Sequence, residues 1–172
     1  MGFLSSIFQS ASGQPKGDIT LYAPLSGTLV PLSEVPDIVV SEKVVGDGIA
    51  IHPSSATVTA PCDGTISRML ASSSAFTIRE AHGIEIYVTF GIGSYELAGE
   101  GFTALVGVGD AVSRGDAVLE VALDTVGERI RSLISPMIVV ASSGDIEKVS
   151  SAAGKCEAGT TPITWITLSA SR

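Results

Sequence analysis

Hydrophobic residues recur along this chain in short bursts separated by Gly, Pro, Ser and Asp. From Ile19 onward the bursts read DITLYA, GTLV, IAI, TVTA, GTISRML, AFTIR, GIEIYVTF, DAVLEVAL, PMIVV and ITWITL. Runs of this length, rich in β-branched residues and bounded by turn formers, predict strands. Their number and close spacing predict an all-β fold, an antiparallel β-sandwich or barrel with little helix. One stretch, DTVGERIRSLI from Asp124 to Ile134, carries a helical spacing. It would have Asp124 as N-cap and Val126, Ile130, Leu133 and Ile134 as its apolar positions, with Gly127 weakening its interior.

The pattern also repeats. APLSGTLV at Ala23–Val30 echoes APCDGTIS at Ala60–Ser67, both reading Ala-Pro-x-x-Gly-Thr-aliphatic. Pro closes one strand, Gly supplies the turn, and Thr with an aliphatic residue opens the next. GDAV likewise occurs twice within GVGDAVSRGDAVLEV. An architecture that turns similar corners more than once is expected.

The strand HGIEIYVTFG is the most informative. Alternation places Ile84, Ile86, Val88 and Phe90 on a core face and Glu85, Tyr87 and Thr89 on the other. Thr89 ends the strand beside the glycine-rich loop GIGSYELAGEGF. A side chain there is rigidly held yet reachable, which suits a functional group.

Composition narrows the function classes. A length of 172 residues with 45% hydrophobic residues supports one domain with a real core, expected over residues 19–172. Residues 1–18 read as an N-terminal segment and linker. Aromatics make up only 5%, so Val, Ile, Leu and Ala must build the interior. A formal net charge of −8 repels a phosphate backbone and argues against nucleic acid. Cys62 and Cys156 lie far apart, form no CxxC, and read as buried or half-buried thiols. With His52 and His82 they are too few and too scattered for a metal site. No apolar run reaches the roughly 18 residues of a membrane span. The start, MGFLSSIFQSASG, lacks the basic region of a signal peptide. It fits the N-myristoylation pattern, and Phe3, Leu4, Ile7 and Phe8 would share one side of a short helix. A weak membrane-surface contact through this segment is compatible with that pattern, though without the lysines that usually help.

Taken together, the motifs resemble the glucose-type IIA component of the bacterial sugar phosphotransferase system. APLSGTLVPLSEVPDIVVSEKVVGDGIAIHP, APCDGTI, AFTI, ELAGEGF and GTTP at Gly159–Pro162 follow that family in order, from about Ile19 to Leu168. The resemblance implies an antiparallel β-sandwich of the barrel-sandwich hybrid, duplicated hybrid motif type. It also implies a cytoplasmic protein, at most peripheral at the inner face of the membrane, with no cofactor. The family's active strand reads V-H-F-G-I-D, and its histidine carries the phosphoryl group. Here VTFGIG puts Thr89 at that position, Ser74 at the second histidine's position, and Gly93 at the loop's acidic position.

That substitution changes the chemistry the resemblance allows. A neutral imidazole is a nucleophile near pH 7 because its pKa is about 6.5. A threonine hydroxyl needs an adjacent base, and a phosphothreonine ester is a poor phosphoryl donor. His82 lies seven residues from Thr89, roughly 23 Å along an extended strand, in the hairpin-turn sequence REAHGIE. His52 stands where the family tolerates other residues, so both read as surface histidines. By the resemblance, Val39, Val40, Val44, Val45, Leu70, Phe76, Tyr87 and Tyr95 ring the pocket and dock proteins: phosphotransferase components, permeases or regulated enzymes. Val44 and Val45, read as neighbours on a strand, should face opposite ways, one of them outward. A working phosphoryl carrier in phosphoenolpyruvate-dependent sugar uptake is the competing expectation. A biotinyl- or lipoyl-type carrier is a third: VSRGDAVLEV has the flavour of its turns, but no Met-Lys-Met occurs and Lys155 is a lone turn lysine.

Overall fold

Short strands separated by turns dominate the computed structural model, which describes residues 17–170. The strands are β1 (Ile19–Tyr22), β2 (Gly27–Val30), β3 (Gly46–Pro53), β4 (Thr57–Thr59), β5 (Gly64–Met69), β6 (Ala75–Arg79) and β7 (Glu85–Thr89). There follow β8 (Phe102–Ala104), β9 (Ala111–Val112), β10 (Ala117–Val121), β11 (Ser135–Val140), β12 (Ile146–Ser151), β13 (Lys155–Cys156) and β14 (Pro162–Leu168). They form an eight-stranded sheet in the order β13-β2-β3-β11-β7-β6-β5-β9 and two three-stranded sheets, β1-β14-β12 and β4-β10-β8. Every strand pairing is antiparallel. The expected all-β architecture is what the chain adopts. The amphipathic start falls outside the described residues.

One face of the large sheet supplies the main core. Ile86, Val88 and Phe90 from β7 and its continuation meet Met137 and Val139 from β11, Phe76 and Ile78 from β6, and Ile49 and Ile51 from β3. The opposite face carries a smaller cluster of Leu32, Val35, Ala50, Ile92 and Ile138, with Val40 and Tyr87 packed against it. β11 is therefore buried on both sides, which explains the uninterrupted apolar run PMIVV. Both predicted faces of the strand before Thr89 are found: Ile84, Ile86, Val88 and Phe90 are core, while Glu85, Tyr87 and Thr89 are half-buried on the other side.

The repeated corners prove to be structural equivalents. Tyr22 N donates to Pro61 O and Thr59 N donates to Pro24 O, each at 2.8 Å. Gly159 N donates to Ala23 O at 2.8 Å, as Gly115 N does to Ala60 O at 2.9 Å. Even the side-chain bonds correspond: Ala158 N to Ser26 Oγ at 2.9 Å, and Arg114 N to Asp63 Oδ1 at 2.8 Å. The copies touch where Gly115 and Gly159 approach; a Cβ on Gly159 would lie 3.2 Å from the Gly115 Cα.

Two local expectations need correction. The helix expected over Asp124–Ile134 shrinks to one turn, α2 (Leu123–Val126), with Ala122 at its N-cap and Gly127 at its C-cap. Beyond it the chain pairs instead with Ile92: Ile92 N donates to Ser132 O at 2.8 Å and Arg131 N donates to Ile92 O at 3.0 Å. These bonds outweigh continuation of a glycine-weakened helix. The apolar positions are still used, since Val126 is in the main core, Ile130 and Leu133 pack on it, and Ile134 joins the smaller cluster.

Val44 and Val45 are not on a strand. They follow the one-turn helix α1 (Ile38–Ser41), with Val44 N donating to Val39 O at 3.0 Å. Lys43 adopts φ 57 in that turn. The Asp37 carboxylate nucleates α1 by accepting from Val39 N at 2.9 Å and Val40 N at 3.2 Å. In this turn both valines point outward, 69% and 41% exposed.

Candidate functional site

Opposite the main core, the large sheet bears a cavity of about 490 Å³. Its floor is β7 with its neighbours, and its walls are α1 and the loop after Thr89. Pairing of Ala75 with Thr89 sets the end of β6 beside the end of β7. Phe90 N then donates to Ser74 O at 3.0 Å, which holds Ser74 against the strand end. Thr89 and Ser74 thus both line the cavity, and Gly93 completes it from the loop.

The hydroxyls are arranged for holding rather than for ionising. Thr89 Oγ1 donates to the Ser74 backbone oxygen at 3.5 Å, a long bond. Ser74 is fully buried, and its Oγ lies 2.7 Å from Ser72 Oγ. Tyr87, one alternation back on the same face, has its phenol pushed above its ordinary pKa by burial, with a Thr89 hydrogen bond opposing. It stays protonated near neutrality and cannot act as a base. The two carboxylates in the wall are engaged as well. Asp37 Oδ1 caps α1, and Glu85 Oε2 is held by Arg79 Nη2 at 3.0 Å.

The two loop glycines differ in what they require. Gly91 has φ +71, and a Cβ there would come within 2.5 Å of Ile130 Cδ1 and 2.8 Å of Ser132 O. Gly93 has φ +81, but its Cβ would meet Arg131 only at ordinary contact distance, 3.6 Å. Asp and Asn tolerate that left-handed conformation better than most residues. The space around Gly93 therefore accepts a short acidic side chain beside a guanidinium.

Of the apolar ring expected around the pocket, Val39, Val40, Val45, Leu70, Tyr87 and Tyr95 line the cavity. Val44 sits beyond its lining on the turn after α1. Phe76 is not on this face: it is 1% exposed, packed opposite Val88 in the main core. β6 is buried on both sides, and it is Thr77, not Phe76, that turns toward the cavity. The structure also brings in Asp37, Arg68, Thr77, Ile92, Ser94, Ile138 and Ser142, none of which was singled out from sequence, together with Glu85. Glu85 lies on the face that alternation assigned to it with Tyr87 and Thr89. Arg68 is hidden from such a reading because the strand's register shifts between Ile66 and Arg68.

The remaining reactive groups lie elsewhere. His82 occupies the β6–β7 turn at the far end of the strand from Thr89. Its Nδ1 is 2.8 Å from Glu80 Oε2, and that hydrogen bond raises its pKa. His52 is exposed on β3, paired with Thr28. Burial pushes the Cys62 thiol up to about 12 and Cys156 to about 11, so neither is a thiolate nucleophile. Among the described residues no helix is long and apolar enough to cross a membrane.

Comparison with known proteins agrees with this geometry. Residues 19–144 match the family model described as phosphoenolpyruvate-dependent sugar phosphotransferase system, EIIA 1. The chain is 36% identical over 159 residues to a PTS system glucose-specific EIIA component of Haemophilus influenzae, covering 92% of this chain and 95% of that one. It is 39% identical over 144 residues to a PTS system N-acetylglucosamine-specific EIICBA component of Klebsiella pneumoniae, of which those residues make up 22%. Among solved structures, the glucose permease IIA from Mycoplasma capricolum superposes with a TM-score of 0.77 at 31% identity, over 85% of this chain and 94% of the other. A shared fold, the matched sequence and near-full coverage of a curated relative establish that this chain belongs to the EIIA 1 family of the phosphoenolpyruvate-dependent sugar phosphotransferase system.

Proposed function

We propose that this chain is a IIA-type module that has lost phosphoryl transfer and acts by binding proteins, mimicking the unphosphorylated state of its family. The observation that carries this reading is Thr89 at the end of β7 with no base beside it. Its neighbours are the Ser74 backbone oxygen, a Ser74 hydroxyl occupied by Ser72, and a Tyr87 phenol that remains protonated. A hydroxyl in such surroundings does not become a nucleophile at neutral pH. His52 and His82 project from other parts of the molecule and cannot reach the cavity.

What the face retains is an apolar ring about a concave site. Val39, Val45, Leu70 and Tyr95 are 47%, 41%, 42% and 59% exposed around it, and such clustered exposure marks an interaction surface. Its partners on this reading are proteins: other phosphotransferase components, permeases or regulated enzymes. The Klebsiella relative, named EIICBA, supports the first of these, because there the matching segment is part of one longer chain. A partner of the unphosphorylated form would find this module always competent, since nothing at the site can be switched by phosphorylation. A cytoplasmic location follows from the same reading.

The test is incubation with phosphoenolpyruvate and the two general phosphotransferase proteins, followed by assay for acid-labile phosphate. The expected result is no label. Label at His52 or His82 would restore the carrier reading and end this one. The triple variant Thr89→His, Ser74→His, Gly93→Asp should regain partial labelling, because the Gly93 space accepts the acid and the cavity opens onto both other positions.

A further inference from the structure

The exposed apolar surface of this molecule is gathered at one place. Among the described residues, Ile38, Val39, Val44, Val45, Leu70 and Tyr95 are six of the nine large apolar side chains left exposed, and all six stand on or beside the cavity rim. The other three, Leu105, Val108 and Leu123, lie on the β8–β9 connection and at α2. Clustered apolar surface of this kind gains from being covered.

The chain enters the described fold beside this same site. Asp18 N donates to Ile166 O at 2.8 Å, and the Asp18 carboxylate accepts from Leu168 N at 2.7 Å. Ser169 N, on the continuation of β14, donates to Asp145 O at 2.9 Å. Two residues before Asp145, the Ser143 hydroxyl accepts from Glu85 N at 3.0 Å. Glu85 and Ser142 line the cavity. From Glu85 the β7 floor runs about 13 Å to Thr89. Residues 9–16 separate Phe8 from Gly17, and those nine Cα–Cα steps reach up to about 30 Å when extended. Phe3, Leu4, Ile7 and Phe8 are therefore within reach of the ring.

Charge decides between possible covers. Residues 1–15 contain no Lys, Arg, Asp or Glu. An anionic membrane holds such a segment weakly, because each basic side chain near the surface contributes about 1 kcal/mol and none is present. The whole chain carries a net charge of −8, which anionic lipid and a second copy both repel. A segment of the same chain meets the ring at an effective concentration of order millimolar, without a bimolecular encounter.

We propose that residues 1–16 cover the docking face of their own chain, seating Phe3, Leu4, Ile7 and Phe8 on the apolar ring. This rests on the binding-module reading above. A partner then has to displace the segment, so access to the face is controlled without a phosphoryl group.

The experiment places a nitroxide at S10C in the full chain. Cys62 and Cys156 are buried, their thiols pushed up to about 12 and about 11, so labelling at neutral pH goes to position 10. In an isotope-enriched chain carrying the nitroxide, the amides of Val39, Val45, Leu70 and Tyr95 should broaden. F3Q/F8Q in the same labelled chain should abolish that broadening; broadening that survives it shows proximity through the tether alone and overturns the proposal. A mixture of enriched unlabelled chain with unenriched labelled chain should show none. Broadening in that mixture assigns the cover to a second copy and overturns it. No broadening in the first sample, with or without binding of the segment to phosphatidylserine vesicles, overturns it as well. The phosphoenolpyruvate assay is independent of all these outcomes, so their failure leaves the binding-module reading standing.

Discussion

The paired corners and the cavity are built on different principles. At the corners, the same hydrogen bonds are made twice by backbone atoms, and the glycines are there because neighbouring backbone leaves no room. A Cβ on Gly27 would stand 2.1 Å from His52 O, and one on Gly64 would stand 2.4 Å from Arg79 O. At the cavity, Thr89 and Ser74 present hydroxyls and Gly93 leaves open space, with Arg131 no nearer than 3.6 Å to a Cβ built there. Close steric contact with backbone does not fix Gly93 as it fixes the corner glycines. Such a protein can change what it does while its frame stays under tight steric control.

The sharpest way to break this contrast is at the corners. Gly27→Ala and Gly64→Ala should each destabilise the fold by more than about 3 kcal/mol, seen as a large fall in Tm by calorimetry. A small effect at either would mean the corners are as tolerant as the cavity.

Next in size is the difference between Phe76 and Tyr95, which sequence placed together. Phe76→Ala should cost about 3–5 kcal/mol by chemical denaturation, because it empties the core. Tyr95→Ala should stay within about 0.5 kcal/mol of the parent while weakening partner capture. If the two variants were equally stable, the assignment of Phe76 to the core would fail.

Within the cavity the effects should be smaller still. Ser74→Ala removes the bond to Ser72 and leaves that buried hydroxyl without its partner, at a cost of about 1 kcal/mol. Thr89→Val should be close to neutral, since its long hydrogen bond contributes little.

The smallest effect lies at the far end of the same hairpin. His82 has its pKa raised by Glu80, so the turn is favoured fully below about pH 6.5 and loses that contribution as pH rises through the folded-state value. Glu80→Gln should bring the imidazole titration, followed by NMR, back toward its ordinary midpoint. An unchanged midpoint would show that the carboxylate is not the cause.

How much of this was legible in the sequence depended on whether a residue's side was decided locally. The strand ending at Thr89 alternates without interruption, so both of its faces could be read. The echo between Ala23–Val30 and Ala60–Ser67 was legible because steric demand at a tight corner allows few residue types. β12, with IEKVSS at a half-exposed sheet edge, has no clean period to detect. β9 and β13 are two residues each, too short for any periodic signal. Phe76 could not be assigned a side because β6 is buried on both. Arg68 was hidden by its bulge, which inverts the parity on which such readings rely. Val44 and Val45 were misplaced because the Asp37 cap makes Ile38–Ser41 a helical turn, and the two valines fall in the turn that follows it rather than on a strand.

The pairing of β1 with β14 has a consequence for biosynthesis. Ile19 lies opposite Ile166, and β1, at the margin of its sheet, has β14 as its sole neighbour there. During translation β1, the first strand among the described residues, waits for its sheet partner until β14 leaves the ribosome. Nascent chains stalled before β14 should therefore expose an apolar ribbon that chaperones can hold, and completion should come as a late, single event.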